Sequence, residues 1–427
     1  MSLLSPESPA SALFTAAPVP PTEATPAPPP AGTPQRIAND AEALAAVQRL
    51  ADRIAPGAAR RDRERLLPWA ELDDFVATGL WSITVPREYG GPGVAAGTLA
   101  EVIARVSAAD GSLGQIPQNH FYALEVLRVG GSDAQKRFFY SRVLAGERFG
   151  NALAEIGHKD FQRRTRLVPD GDGFRVIGRK FYCTGALYAH WIPTLVVAKE
   201  ADEREVTYLA FVPRTAPGVR ITDDWDGFGQ RVTGSGSVEF DNVAIEAGWV
   251  VPFLASFERP TPIGPLAQLL HAAIDLGQAR AALAATLPFV REHARPWIDA
   301  QVDRAADDPL LIQQVGEIAV RVRAAEALVR RAGRFVDAAQ AEATERSVAE
   351  ASIAVAEARA LTTTASLDAG SRLFELGGTA ATTGRQGLDR FWRNARTHTL
   401  HDPVRWKYHA VGNFHLNGRF PPRHGAL

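Results

Sequence analysis

Apolar positions change their period twice along this chain. Between Ile37 and about Ala145 they recur every three or four residues. Ala41, Leu44, Val47, Leu50 and Ile54 show the spacing of an amphipathic helix. Asn39 or Asp40 precedes that run and is placed to cap it, since a short polar side chain there accepts from a free N–H of the first turn. Two breaks interrupt the helical region, Pro86-Arg-Glu-Tyr-Gly-Gly-Pro-Gly93 and Gly130-Gly-Ser-Asp133. Ser132 is positioned to cap the helix that carries Gln135 and Lys136.

From Arg148 to about Pro252 the period falls to two. Arg166-Leu-Val168 and Phe174-Arg-Val-Ile177 flank Asp170-Gly-Asp-Gly173, which reads as a hairpin turn, and Ile192–Val197, Val206–Val212 and Val238–Val243 read as further strands. Helices return from about Ile263. One apolar stripe runs through Ile312, Val315, Ala319, Val322 and Val329, and another through Ala349, Ile353, Ala356, Ala360 and Leu367. The order predicts an α+β chain with a helical domain over 36–147, a β domain over 148–255 and a second helical domain over 256–427. Residues 1–35 are rich in Pro, Ala, Ser and Thr and bury too little apolar surface to offset ordering entropy. A disordered tail is expected there.

The 427 residues suffice for two or three domains around a buried cofactor. A net charge of -1 and a pI near 6.8 leave no electrostatic footprint for nucleic acid or an anionic membrane. The single Cys183 excludes an internal disulfide and a cysteine zinc site, and fits a reducing compartment. No apolar run approaches the ~20 residues that span a bilayer, and the N-terminal stretch lacks a basic start and an apolar core. A cytoplasmic protein is expected.

Candidate chemistry concentrates near the C-terminus. In Glu375-Leu-Gly-Gly-Thr379, Gly377 and Gly378 let backbone approach a ligand closely. Arg390, Arg393 and Arg396 follow at helical i, i+3, i+6 spacing, then His398, His401 and Asp402 crowd into one turn. Two histidines and a carboxylate can form a facial metal set, but this spacing is only a partial one, and a general acid/base pair without a metal is the better reading. The alternative is a solvated helix end whose histidines meet the dipole. His120, after Gln115-Ile-Pro-Gln-Asn119, reads either as a structural histidine or as a catalyst. Phe181-Tyr-Cys-Thr-Gly185 and Trp225 offer aromatic walls and a hydroxyl, or ordinary core packing, with Cys183 as a small buried hydrophobe. Gly91-Pro-Gly-Val-Ala-Ala-Gly97 imitates a dinucleotide fingerprint, but its last spacing is off by one and no βαβ unit surrounds it.

Taken in order with the C-terminal Gly-Gly and arginine segment, five motifs resemble the acyl-CoA dehydrogenase superfamily. They are Val85-Pro-Arg-Glu-Tyr-Gly-Gly-Pro-Gly93, Gly131-Ser-Asp-Ala-Gln-Lys136, Ala152-Leu-Ala-Glu155, Gly178-Arg-Lys-Phe-Tyr-Cys-Thr-Gly185 and Val238-Glu-Phe-Asp-Asn-Val243. Gly114-Gln-Ile-Pro-Gln-Asn-His-Phe121 and Asp223-Asp-Trp-Asp-Gly-Phe-Gly-Gln-Arg231 resemble its flavin monooxygenase branch, typified by dibenzothiophene monooxygenase and the Sfn-type sulfur-acquisition oxidoreductases.

The resemblance implies a helical N-terminal domain, a β-barrel-like middle domain and a C-terminal four-helix bundle, assembled as a homotetramer. It implies reduced FMN, with FAD as the alternative, supplied by a separate reductase and used with oxygen on a small organosulfur compound. By the same resemblance Thr184 bonds the flavin ring, Tyr182 and Trp225 line it, and Asn151 lies against flavin or substrate. His120 faces the pocket, Gly377, Gly378 and Arg396 join the cofactor set, and Arg295 reaches the phosphate of a neighbouring subunit's flavin. His398 or His401 exchanges the reaction's proton while Asp402 orients it.

Two departures matter. Leu400-His-Asp-Pro403 stands where a dehydrogenase carries Tyr-Glu-Gly, and Pro296-Trp297 intervenes near Arg295, favouring FMN. The rival readings are an FAD-dependent acyl-CoA dehydrogenase with Asp402 as base, and a flavin-binding paralogue without turnover.

Overall fold

The computed structural model describes residues 33–156, 162–200 and 202–427, so the tail expectation falls almost wholly outside the described residues. The N-terminal helices are α1 (Asp40–Ile54), α2 (Ala58–Glu64), α3 (Trp69–Ala77), α4 (Ala96–Ala109), α5 (Gln118–Gly130) and α6 (Asp133–Leu144). Asn39 caps α1 by accepting from Glu42 N at 3.0 Å. The buried face is Ala43, Ala46, Val47, Leu50 and Ile54, whereas Ala41 is exposed. Ser132 and Gln135 form a reciprocal capping box on α6.

Seven strands follow: β1 (Arg166–Asp170), β2 (Gly173–Lys180), β3 (Trp191–Lys199), β4 (Glu205–Pro213), β5 (Val219–Thr222), β6 (Ser237–Glu246) and β7 (Val250–Pro252). They form one sheet in the order β5-β6-β2-β1-β3-β4-β7. The β1–β2 hairpin turns at Gly171 with φ 57°, and β1 also runs parallel to β3. β3 is buried along nearly its whole length. Its Trp191 meets Phe139 of α6 and Trp249 at ring distances of 5.3 and 5.2 Å, which fixes the sheet against the N-terminal helices.

The chain then runs through α7 (Ala255–Glu258), α8 (Ile263–His293), α9 (Pro309–Ala341), α10 (Glu345–Gly377), α11 (Asp389–His398) and α12 (Arg405–Asn417). In α9 the core register is Ile318, Val322, Ala325, Val329, Ala332 and Val336; Ile312, expected in that stripe, is exposed. α10 is buried on most of its circumference because α8, α9, α11 and α12 all pack on it. α8 crosses α4 so closely that a Cβ on Gly277 would lie 2.3 Å from Ala104 O. That crossing locks the two helical domains together and brings the middle of α8 beneath α11.

Candidate active site

After β2 the backbone passes through Tyr182 with φ 54°, a strained conformation for a bulky residue. Tyr182 is 50 % exposed, and its ring meets Trp225 edge-on at 6.2 Å. Beyond it, the Thr184 hydroxyl lies 2.7 Å from Ser235 Oγ, which lies 2.7 Å from Thr233 Oγ1, forming a buried hydroxyl chain that ends on Gln230 O.

The loop carrying Trp225 is tied down from three sides. Trp225 Nε1 donates to Gln230 O at 2.9 Å, and Gln230 N donates to Asn394 Oδ1 of α11 at 2.7 Å. Arg65 of the α2 end pairs with Asp223 at 2.7 Å, and Arg393 Nη1 donates to Phe228 O at 2.8 Å. Gln230 Nε2 also donates to Gly111 O at 3.1 Å, so these bonds bring the β domain, α11 and the loop before α5 together around one candidate cleft.

On the α11 side, three imidazoles meet. His398 and His401 belong to the expected group; His271 arrives from the middle of α8. Their ligand nitrogens all lie within 4.8 Å of one another. His398 Nδ1 is 2.5 Å from Asp275 Oδ1, and His271 Nδ1 is 3.0 Å from His398 Nε2. Asp275 Oδ2 accepts from Arg359 Nη1 and from Thr363 Oγ1. His401 Nδ1 is 2.7 Å from the His398 carbonyl, and its Nε2 is 3.3 Å from Gln115 Nε2. Burial holds His398 and His271 well below the ordinary histidine range and lowers His401 as well. The same burial pushes the Asp275 carboxyl upward, while Arg359 and Thr363 pull it back.

Two expected site residues stand elsewhere. Asp402 does not orient a histidine: its Oδ1 lies 3.2 Å from Lys407 Nζ and its Oδ2 3.9 Å from Arg359 Nη2. Pro403 and the start of α12 turn that carboxylate toward Lys407, and the carboxylate that meets an imidazole is Asp275. His120 does not present a free nitrogen. It is fully buried among Trp81, Phe121 and Phe149, its Nδ1 accepts from Phe149 N at 3.1 Å, and its Nε2 lies 2.8 Å from Trp81 O. Both nitrogens serve backbone groups because α5 packs His120 into the N-terminal core.

The other residues occupy a range of positions. Asn151 is buried, with its Oδ1 accepting from Leu153 N at 3.1 Å. Cys183 is buried, and burial raises its thiol to about 12, as for an inert small side chain. Gly377 packs against Phe289, and Gly378 has φ 64° and ψ -164°, a conformation that essentially only glycine adopts. Arg295 is exposed just beyond the end of α8, with no ion-pair partner among the described residues.

These surroundings fit a flavin. Gln115 Oε1, Arg396 Nε and Thr397 Oγ1 are buried without a hydrogen-bond partner. Together they offer an acceptor for an imide N–H and donors for ring carbonyls. A Cβ built on Gly378 would meet nothing within 4 Å, so its backbone faces open space.

His271, Asp275, Arg359 and Gln115 were not singled out from the sequence. A signal was present for two of them, because His271 and Asp275 stand four residues apart as polar interruptions in the apolar run from Leu266 to Leu276.

Comparison with known proteins agrees with this layout. The acyl-CoA dehydrogenase N-terminal domain matches residues 40–147, the middle domain residues 158–243 and the C-terminal domain residues 269–406. The architecture is thus of the acyl-CoA dehydrogenase class. A dibenzothiophene monooxygenase of Rhodococcus erythropolis is 35% identical over 400 residues, covering 90% of this chain and 96% of its own. The probable FMNH2-dependent monooxygenase SfnC of Pseudomonas putida is 30% identical over 403 residues, covering 92% and 98%. The crystal structure of FMN-bound TdsC from Paenibacillus sp. A11-2 superposes with a TM-score of 0.86 at 32% identity, covering 90% and 100%. The chain belongs to the flavin-dependent monooxygenase branch of the acyl-CoA dehydrogenase family.

Proposed function

We propose that this protein uses reduced FMN and oxygen to transfer one oxygen atom to a small organosulfur compound, with a separate reductase supplying the reduced flavin. The observation that carries this reading is the proton chemistry beside the cleft: three imidazoles cluster there, and the nearest carboxylates are already engaged. Asp402 is held by Lys407, and Asp275 by Arg359, Thr363 and His398. The rival dehydrogenation requires a carboxylate free to remove an α-proton, and near-attack geometry tolerates displacements of only ~1 Å.

Tyr182 and Trp225 supply an apolar wall that excludes water, and the docked loop around Trp225 holds that wall closed against α11. Thr184, Gln115, Arg396 and the Gly378 backbone hold the ring, and His271, His398 and His401 handle protons at the cleft. When bound, reduced FMN supplies the two electrons with which one oxygen atom goes to the substrate and the other leaves as water.

Arg295 serves the phosphate of a neighbouring subunit's flavin in a homotetramer. Trp297 and Ile298 beside it are 69 % and 82 % exposed in the single chain, which suits an assembly contact. No helix among the described residues is long and apolar enough to cross a membrane, and the single thiol suits the cytoplasm.

The deciding experiment supplies reduced FMN and labelled oxygen with aromatic thiophenes, alkyl sulfones and sulfinates. One labelled oxygen should enter a sulfur compound. Hydrogen peroxide accounting for all oxygen consumed, across the whole panel, would sink the proposal.

A further inference from the structure

The six ring nitrogens of His271, His398 and His401 are not equivalent. The Arg359 guanidinium is always protonated and is buried against Asp275 Oδ2, so it requires Asp275 as its counter-charge; Asp275 therefore stands as a carboxylate, and its Oδ1 can only accept. His398 Nδ1 therefore carries the hydrogen, and His398 Nε2 is the acceptor. That acceptor lies 3.0 Å from His271 Nδ1, which must then be the donor, leaving a lone pair on His271 Nε2. His401 is settled separately, because Nδ1–H donates to the His398 carbonyl and Nε2 accepts from Gln115. Five of the six nitrogens thus have protein partners, and among the described residues His271 Nε2 has none.

We propose that His271, through Nε2, is the base that exchanges the reaction's proton, and that Asp275 and His398 are positioning residues that hold it in this tautomer. The assignment deepens the monooxygenase reading and rests on it. The logic is that of a carboxylate fixing an imidazole tautomer, extended by one ring. When Nε2 takes up a proton, Nδ1–H passes to His398 Nε2, and the resulting imidazolium faces the Asp275 carboxylate. One proton has entered, one has shifted along the chain, and the reverse shift returns it. His401, with its ring 4.9 Å from that of His271, links the cluster to Gln115 and the flavin-binding atoms. The charged and titratable groups around His271 are Asp275 on its own helix, Arg359 of α10, His398 of α11, His401 after it and Lys407 of α12.

Substitution separates the base from its scaffold. His271→Asn retains an amide N–H for His398 Nε2 but has no basic nitrogen. The expected result is a kcat about 100-fold lower with an unchanged fold and FMN affinity. A near-normal kcat would overturn the proposal, because a structural role is satisfied by the amide.

Ring-nitrogen NMR of flavin-free, 15N-histidine-labelled protein reads the tautomer directly, with His271→Asn identifying the signal. An unprotonated Nε2 at His271, altered by Asp275→Asn, is expected, and a protonated Nε2 overturns it. Should the parent oxygenate no sulfur compound, the functional reading fails instead. The His271 assignment is then decided by these signals and by whether His271→Asn slows oxygen consumption of the reduced-FMN-loaded protein.

Discussion

His398 Nδ1 and Asp275 Oδ1, 2.5 Å apart, join the end of α11 to the middle of α8 at a fully buried point. Asp275 is shared there with Arg359 of α10, so one carboxylate ties three helices together. Removing one partner of a buried pair leaves an uncompensated charge, typically costing about 3–5 kcal/mol. Arg359→Leu should destabilise the flavin-free protein by about that amount in urea unfolding. Replacing Asp275 and Arg359 together by leucine should recover much of the loss in stability while still abolishing turnover.

Much of the architecture was legible because it rests on period and punctuation. The strands around Asp170-Gly-Asp-Gly173, the Asn39 and Ser132 caps, and the helix–strand–helix order all follow from local sequence. β5 and β7, short and read only through their partners, were not visible. The α9 stripe was misjudged at Ile312 because the residue in register with Val315, Ile318 and Val322 is its neighbour Leu311, which packs on the core while Ile312 faces away from it. In the site, His398 and His401 are neighbours in sequence, and their proximity is local. Asp275 is 123 residues from His398, and only the crossing of α8 and α11 brings it there. Adjacency in sequence made Asp402 look like the orienting group, but the turn at Pro403 points it at Lys407.

His120 should behave as a structural residue with a pH signature. Burial, partly opposed by the Trp81 carbonyl, lowers it from 6.5 to about 3. Above pH 6.5 it is neutral in both folded and unfolded chains and its contribution is constant. As pH falls from 6.5 toward 3 the unfolded chain takes up a proton that the folded chain refuses, so stability falls. His120→Gln leaves the Phe149 N–H unpaired and should cost about 1–3 kcal/mol at pH 8. That gap should narrow progressively below pH 6.5, with kcat nearly unchanged. A large kcat loss in a stably folded variant would return His120 to the chemistry.

FMN should bind more tightly than FAD in equilibrium titration. Arg295→Ala should weaken FMN roughly ten- to hundredfold, the ~1.5–3 kcal/mol of a charge-assisted phosphate contact. A wide preference for FAD would argue against the cofactor assignment.

If Arg295 acts across a subunit boundary, affinity must depend on assembly. Trp297→Asp with Ile298→Asp places charge on the exposed apolar pair beside it, and sedimentation should show smaller particles with correspondingly weaker FMN binding. A parent protein that is monomeric and already binds FMN at full affinity would contradict the intersubunit role.

His401→Ala and Asp402→Asn should part company. His401 carries the contact to Gln115, at the edge of the atoms that fit the flavin. Its loss frees the Gln115 amide and should lower product formation by less than loss of the His271 base does, with more of the consumed oxygen released as hydrogen peroxide and FMN affinity nearly intact. Asp402 faces Lys407, whose ammonium also donates to Ala426 O and so secures the C-terminal segment. Neutralising Asp402 leaves the buried Lys407 short of its counter-charge, so the expected effect is a lower Tm and looser C-terminal packing, seen as faster amide exchange. Turnover at 25 °C should stay within a few-fold of the parent. If Asp402→Asn instead stops turnover without altering stability, the carboxylate works in the cleft after all, and the α-proton abstraction of a dehydrogenase regains its base.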